Sequence, residues 1–363
     1  MKIRGSERNK KRILFTALNL FCAVAALLCF GAVHILTGIL DAQKEAERWR
    51  GENELNYSQV SCYLPVDEKL GIEQIYEFRQ KMEKELHAAA LDIDNDSQLY
   101  VDAWCTTGKV QVSSALGKGE VSAIAVGGQF FSFHPLRLLS GSYISEDDLM
   151  KDRVLLDPET AWLLYGGTDL QGMELRVNGQ PFLVAGVIER EQDFASRKAY
   201  TAGMGIYMSY DALSAQDEGT GITCYEVAMA DPVKNFAVGI VRQNFPIGSG
   251  EIVENSKRFS FGSLLNVVGS FGSRSMQTLG VVYPYWENAA RLIEDWSALL
   301  LLLALAASLL PVVTVIVLLV RTLRKGRDKL TEDVLPKLKD NAEEAIRVRQ
   351  RRRWEKRQGR HEK

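Results

Sequence analysis

The sequence predicts an α+β extracytoplasmic domain, two β-α-β units flanking a β-rich insertion, held between two transmembrane α-helices. Three observations predict it. Two long apolar runs carry no charge, the net charge changes sign at those runs, and the 255 residues between them alternate strand and helix periodicities. Of 363 residues, 46% are hydrophobic and 25% charged, which excludes a disordered chain.

The runs are Ile13–Leu40 and Trp296–Val320, with no Asp, Glu, Lys or Arg in either. About 20 apolar residues cross a bilayer core of about 30 Å, so both are long enough to span. The first is about twice the length of a signal-peptide apolar region and ends without an Ala-x-Ala site, so it is read as an uncleaved anchor. Pro311 lies in the second run, as a harmless bend or as a hinge.

Residues 1–12 carry a net +5, residues 321–363 a net +8 and the stretch between them −15. Basic flanks stay inside. The expected organisation is therefore a cytoplasmic basic N-terminus (1–12), transmembrane helix 1 (13–40), an extracytoplasmic domain (41–295), transmembrane helix 2 (296–320) and a basic cytoplasmic tail (321–363). Tyr283, Tyr285, Trp286 and Trp296 suit the outer interface of the second span. A soluble two-domain enzyme and a free nucleic-acid binder are both excluded.

Within 41–295, residues 57–64 alternate as a strand. Ile72, Ile75, Phe78, Met82, Leu86 and Ala89 recur at helical spacing. Leu99–Cys105, Lys109–Ser113 and Val121–Val126 read as strands separated by Gly-containing turns. Val154–Leu156 is a strand and Glu159–Tyr165 a short helix. Glu174–Val177 and Phe182–Ile188 form a hairpin across Asn178-Gly179, a strong turn signal. Tyr200–Tyr210 is extended. Cys224–Met229, a helix over Val233–Asn244 and a strand from Ile252 make the second β-α-β unit. Pro284–Asp295 is read as a short helix leading into the second span, while Phe259–Phe271 gives no clear pattern.

No motif for catalysis, cofactor or metal emerges. The four histidines make no HExxH site, and there is no Gly-x-Ser-x-Gly elbow. Gly117-Lys118-Gly119 lacks the first glycine and the Ser/Thr of a phosphate loop. Gly248-Ser249-Gly250 has Val253 where a dinucleotide loop wants glycine. Asp92–Asp96 starts like a calcium loop, but Ser97 and Ala103 stand at its glycine and bidentate-glutamate positions, so it is a polar turn. His134 is read as a structural turn residue. Of the outer cysteines Cys62, Cys105 and Cys224, at most one pair can bridge, with Cys62–Cys105 the candidate. The chain is read as a non-enzyme without cofactor.

One ordered set of short motifs is more specific. It runs Gly128-Gln129-Phe130-Phe131, Leu138-Leu139-Ser140-Gly141, Glu146-Asp147-Asp148, Val154-Leu155-Leu156 and Ala161-Trp162-Leu163-Leu164-Tyr165-Gly166. Asp169-Leu170-Gln171-Gly172, Asn178-Gly179 and Val184-Ala185-Gly186-Val187 complete it. The set resembles the extracytoplasmic core domain of MacB/FtsX-type ABC transporter permeases, most closely over 128–190. The residues carrying it are Gly128, Phe130, Phe131, Gly141, Ala161, Gly166, Gly172, Asn178, Gly179, Val184, Gly186 and Val187, as fold residues and not catalytic ones. Gly141 and Gly166 suit positive φ, and Gly186 a turn. Such permeases have four spans with the outer domain after the first; two apolar runs make this a two-span form.

The resemblance implies a permease-like subunit that couples a separate cytoplasmic ABC ATPase to movement of the outer domain. Its implied partners are that ATPase, other permease subunits in a homo- or hetero-oligomer, and membrane lipids, with no nucleic acid. The alternative is a non-transporting membrane-anchored sensor or envelope scaffold that reuses the domain. In the tail, Leu330, Val334, Leu335, Leu338 and Ile346 form a candidate partner-docking face, interrupted by Pro336. Its arginines draw it instead to anionic lipid.

Overall fold

A computed structural model describes residues 2–358 apart from 53, 69, 90–98, 201–202, 218, 275–279 and 330–334. The calcium-loop-like Asp92–Asp96 turn, Leu330 and Val334 lie outside the described residues. The helices are α1 Lys2–Gly38, α2 Glu45–Arg50, α3 Ile72–Ala88, α4 Phe130–Phe133, α5 Pro158–Tyr165, α6 Phe194–Ala199, α7 Tyr210–Ser214, α8 Phe236–Asn244, α9 Phe261–Val267, α10 Tyr285–Lys329 and α11 Leu335–Gln358. The strands are β1 Tyr57–Tyr63, β2 Tyr100–Ser113, β3 Lys118–Gly128, β4 Arg137–Gly141, β5 Arg153–Leu156, β6 Glu174–Val177, β7 Gln180–Glu189, β8 Gly205–Ser209, β9 Cys224–Ala230 and β10 Glu251–Glu254.

Two compact units result. One is residues 31–301; the other joins 1–30 with 302–363. The second unit holds most of two helical stretches long and apolar enough to cross a membrane, within Asn9–Gly38 and Tyr285–Arg327. Leu14, Leu27 and Val315 on them are exposed, as lipid-facing side chains are. Helix α10 runs unbroken from Tyr285 through Pro311, so the expected short helix at 284–295 and the span are one element.

In the larger unit the strands form one sheet in the order β10-β1-β9-β2-β3-β8-β5-β7-β4, with β6 pairing β2 and β7. β1-α3-β2 and β9-α8-β10 interleave antiparallel, the split β-α-β arrangement of ferredoxin-like folds. The chain between β2 and β9 is the insertion. Two features of this sheet differ from expectation. Strand β2 does not turn at Gly108 but continues to Ser113, paired with β3 from Ala103 to Ser113; Gly108 pairs with Ala123 and has room for the Leu213 side chain above it. The turn comes at Ser114–Gly117, where Ser114 Oγ donates to Leu164 O at 2.6 Å and docks the hairpin tip on α5. Gly186 is not at a turn either. It lies within β7 beside a β-bulge, and a Cβ there would meet Ser140 O at 2.3 Å.

Each sheet face has its own core. Ile75, Phe78, Met82 and Leu86 of α3 are fully buried against Val60, Cys62, Tyr225 and Val227 and against Val241 of α8, each burial stabilising by about 1.5–3 kcal/mol. Arg79 forks onto Asp102 at 2.7 and 2.8 Å, tying α3 to β2. The insertion packs Val112, Ala123, Val154, Val184 and Val187 against Ala161 and Leu164 of α5. On the opposite face Tyr63, Ala103, Cys105, Cys224, Phe130 and Trp286 gather. All three outer cysteines are free and buried. Cys62 and Cys105 belong to cores on opposite faces, with β9 between their strands, so the candidate Cys62–Cys105 bridge does not form. Helix α8 starts at Phe236 rather than Val233, because Asn235 turns left-handed before it (φ 68°). Phe259–Phe271 resolves into α9 and a following 3₁₀ turn.

Gly141 has φ 79°, and a Cβ there would sit 2.1 Å from Ala185 O. Gly166 has a similar φ of 71° but open space. Gly166→Ala should therefore cost only the left-handed strain, about 1 kcal/mol, and Gly141→Ala at least twice that. Denaturant melts of the two variants in mild detergent check the ranking, and equal losses would refute it.

Candidate functional site

The most concentrated chemistry lies where the ends of the chain's two long helices meet the sheet. Two and a half turns of α10 are buried nearly all round: Trp286, Glu287, Ala289, Ala290, Arg291, Ile293 and Glu294 are each at most 3% exposed. Charges so deep must be paired. Arg258, 4% exposed, supplies the centre. It follows β10 and a single 3₁₀ turn. Its Nη1 and Nη2 donate to the two Glu287 oxygens at 2.9 and 3.0 Å, and its Nε donates to Glu294 at 3.0 Å. Nη1 also donates to Gln43 Oε1 at 2.9 Å.

Gln43 ends the 3₁₀ turn Asp41–Gln43 just beyond α1. One planar guanidinium therefore holds the chain leaving the first long helix and the chain entering the second. A second arginine widens the contact. Arg291 Nε donates to Glu287 at 2.6 Å and its Nη2 to Glu251 at 2.7 Å, while its guanidinium lies 3.8 Å from the Tyr283 ring centroid. Arg274 pairs with the other Glu294 oxygen. Three arginines and three glutamates balance.

Tyr63 Oη donates to Glu287 at 3.1 Å. Burial first, then the Glu287 and Glu226 charges, push the Tyr63 pKa well up, so the phenol stays neutral and donating. Burial, helped by the hydrogen bond to Glu251, pushes Tyr283 up to about 12. For Arg258, burial opposes the charge, but Glu287 and Glu294 outweigh it and hold the pKa above the ordinary value.

The network reaches the middle of the sheet through polar contacts. Asn255 Nδ2 donates to Ser61 Oγ at 2.6 Å, and Ser61 donates to Glu226 at 2.8 Å. His134 Nε2 lies 2.5 Å from the other Glu226 oxygen, with its ring against both Phe130 and Trp286. His134 is thus half of a buried His–Glu pair beyond its place after α4. On the α1 side, Gln59 Nε2 donates to Ala42 O and its Oε1 accepts from Glu45 N.

Of the motif residues named from sequence, Phe130 reaches this base, stacking edge-on to Trp286 at 5.7 Å. Phe131 stacks on Tyr143, and Gly128 (φ 62°) ends β3 against Asp102 O. The others lie in the insertion. Gly141 and Gly186 are pressed backbone to backbone. Ala161, Val184 and Val187 are core. Gly166 caps α5, and Gly172, Asn178 and Gly179 take positive φ in turns. Leu335, Leu338 and Ile346 are exposed on α11, which starts at Leu335 and takes Pro336 in its first turn; Pro336 therefore does not interrupt that helix. Sequence reasoning missed Arg258, Glu287, Arg291 and Glu294. The signal was the i, i+4, i+7 spacing of Glu287, Arg291 and Glu294 in an otherwise apolar helix. Among the described residues no group of three or more His, Cys, Asp or Glu side chains is placed to hold a metal ion.

Fold and base together define a membrane-anchored α+β domain to which the α10 connection is held by ion pairs and the α1 connection by a hydrogen bond to Gln43. Residues 72–239 match the MacB-like periplasmic core domain. The match runs from α3 into α8, so Arg258 and its glutamates lie outside it. Among solved structures, the periplasmic region of MacB from Actinobacillus actinomycetemcomitans is similar at 14% identity, covering 60% of this chain and 94% of that one, TM-score 0.39. The extracellular domain of the noncanonic ABC-type transporter YknZ from Gram-positive bacteria follows at 14% identity, covering 52% and 92%, TM-score 0.34. A domain of a putative permease from Porphyromonas gingivalis has 11% identity, covering 65% and 95%, TM-score 0.31. No curated protein matches the sequence significantly.

Removing one partner of a buried ion pair leaves the other uncompensated and costs about 3–5 kcal/mol. Arg258→Met takes the bidentate partner from Glu287 and one of two arginines from Glu294, leaving them only Arg291 and Arg274, and should show the larger loss. Glu287→Gln leaves Arg258 with Glu294 and should lose less. Double-mutant cycles read from denaturant melts should give a coupling above about 1 kcal/mol; additive losses would show that the two do not act as a unit.

Proposed function

We propose that this chain is a permease-like membrane subunit of an ABC transporter complex of the MacB/FtsX type, coupling a separate cytoplasmic ATPase to movement of its extracytoplasmic domain. The observation that carries the reading is the Arg258 base beneath a MacB-like domain. Glu287, Arg291 and Glu294 belong to the helix that continues into the apolar stretch. A shift or rotation of that helix cannot leave the sheet behind without stranding buried charges, which is costly in a low-dielectric interior. Motion is therefore passed on as a rigid-body change of the domain, and no substrate site between the spans is required.

The family supports a transporter-permease role for the domain. The ATPase partner, the oligomeric state and the orientation are ours. Both termini are assigned to the cytoplasm on the basic flanks at 1–12 and 321–363, with 41–295 outside.

Affinity purification in mild detergent should recover a separate ATPase, and its turnover should change when this subunit is present. Arg258→Met, held at a temperature where the domain stays folded, should leave partner recovery intact and remove that change. ATP turnover by the purified chain alone would overturn the proposal. Recovery of the chain with no ATPase would favour the sensor or scaffold role.

Orientation is checked by cysteine labelling. Cys62, Cys105 and Cys224 are buried and cannot report, so reporters are introduced at Leu149→Cys, in the most exposed apolar position of the domain (95%), and at Gln350→Cys. A membrane-impermeant maleimide should label the first in intact cells and the second only after permeabilisation. The reverse pattern would invert the topology.

A further inference from the structure

We infer that α11 is a membrane-surface helix that binds anionic phospholipid through one acid-free face. Leu335–Gln358 is one continuous helix carrying nine Lys/Arg and four Asp/Glu. At 3.6 residues per turn its charges do not scatter. The four acidic positions, Asp340, Glu343, Glu344 and Glu355, fall within an arc of about 120°. The opposite arc, about 140° wide, has no acidic position. Its first half carries Leu335, Leu338, Ala342, Ala345 and Ile346, with one cation, Lys339. Its second half carries Arg349, Arg352, Arg353, Lys356 and Arg357.

That order suits a bilayer surface. Leu335, Leu338 and Ile346 are more than half exposed, so these side chains are not covered by the described residues. Short apolar side chains at one end can sit among the headgroups while guanidinium forks at the other take phosphates. The apolar half has three large side chains, a small footprint for a protein partner, whereas six cations on one face, Lys339 included, are a strong one for an anionic surface. Each basic residue near such a surface contributes about fivefold in partitioning. Reach is also satisfied. Six Cα steps separate Lys329 of α10 from Leu335, so the helix starts within about 22 Å of the last described residue of α10. The acidic arc then faces away from the lipid, where like charge would otherwise repel it.

The test uses the full chain in nanodiscs. Both leaflets have the same composition, so the result does not depend on orientation or on any ATPase. Ala345→Cys, in a Cys22→Ser, Cys29→Ser background, carries an environment-sensitive label, and quenching by neutral acrylamide reports its exposure. Nanodiscs of phosphatidylcholine with 30% phosphatidylglycerol in 50 mM salt should lower the quenching constant at least threefold relative to phosphatidylcholine alone. The protection should vanish in 500 mM salt. Arg349, Arg353 and Arg357, all changed to Gln, should abolish it. Lys337, Arg347 and Arg351, all changed to Gln, remove the same charge from outside the acid-free arc and should retain most of it. Glutamine is a good helix former, so neither triple breaks the helix. Equal quenching in both lipids overturns the inference, and so does equal loss from the two triples. Protection that appears only on adding a protein partner or RNA assigns the face to that partner instead and also overturns it.

Discussion

The bidentate contact between Arg258 and Glu287 is the constraint on which the lower half of the domain rests. A guanidinium has five N–H donors in a fixed plane and does not lose its charge. Once buried at 4% exposure, every direction of that plane needs an acceptor. Here the acceptors come from three places far apart in sequence: Gln43, Asn255 and the pair Glu287 and Glu294. Two of these segments are short, while Glu287 and Glu294 sit on the long helix α10. Asp41–Gln43 is a single 3₁₀ turn and Asn255–Lys257 another. The charge fixes their mutual placement because leaving any acceptor out exposes an uncompensated ion to an apolar surround.

The upper half answers to a different constraint. Strand β2, fourteen residues long, pairs with β9 at its start and with β6 at its end, while β3 follows it from Ala103 onward. The hairpin is thus shared by the ferredoxin-like half and the insertion, so the sheet is continuous although the chain between β2 and β9 is an excursion. Burial of apolar residues holds the core of the insertion, with one buried ion pair, Arg190–Asp157, at the start of α5. Where backbones must approach closely, at Gly141 and Gly186, glycine is used. The lower half is specified by charge and the upper by shape.

This division explains what could be read in the sequence. Periodicity located α3, and the Asn178-Gly179 turn located the β6–β7 hairpin, because both are local signals. The ordered motifs led to the MacB-like domain because its turns need particular residues at particular spacings. Gly108 misled, since a glycine inside a long strand looks the same as one in a turn. Gly186 misled for the same reason. The base stayed hidden because Gln43, Arg258 and Glu287 are separated by 215 and 29 positions and share no local pattern. His134 was visible as a residue, but nothing near it in sequence announced Glu226, 92 positions away.

Helix α10 carries the remaining argument. Its first turns bury Glu287, Arg291 and Glu294, and from Trp296 to Val320 it has no charged residue. Both stretches avoid water, but by opposite means. The first is surrounded by protein that supplies counter-charges; the second suits lipid, which supplies none and tolerates none. The change falls between Asp295 and Trp296. Sliding the helix by one turn toward the bilayer would draw Glu294 and then Arg291 out of their pairs into a medium where neither ion is compensated. Sliding it the other way would bring leucines into an ionic base. The helix therefore has one axial position at which both ends are satisfied, and any drive applied to it is resisted by the whole sheet rather than absorbed by slippage.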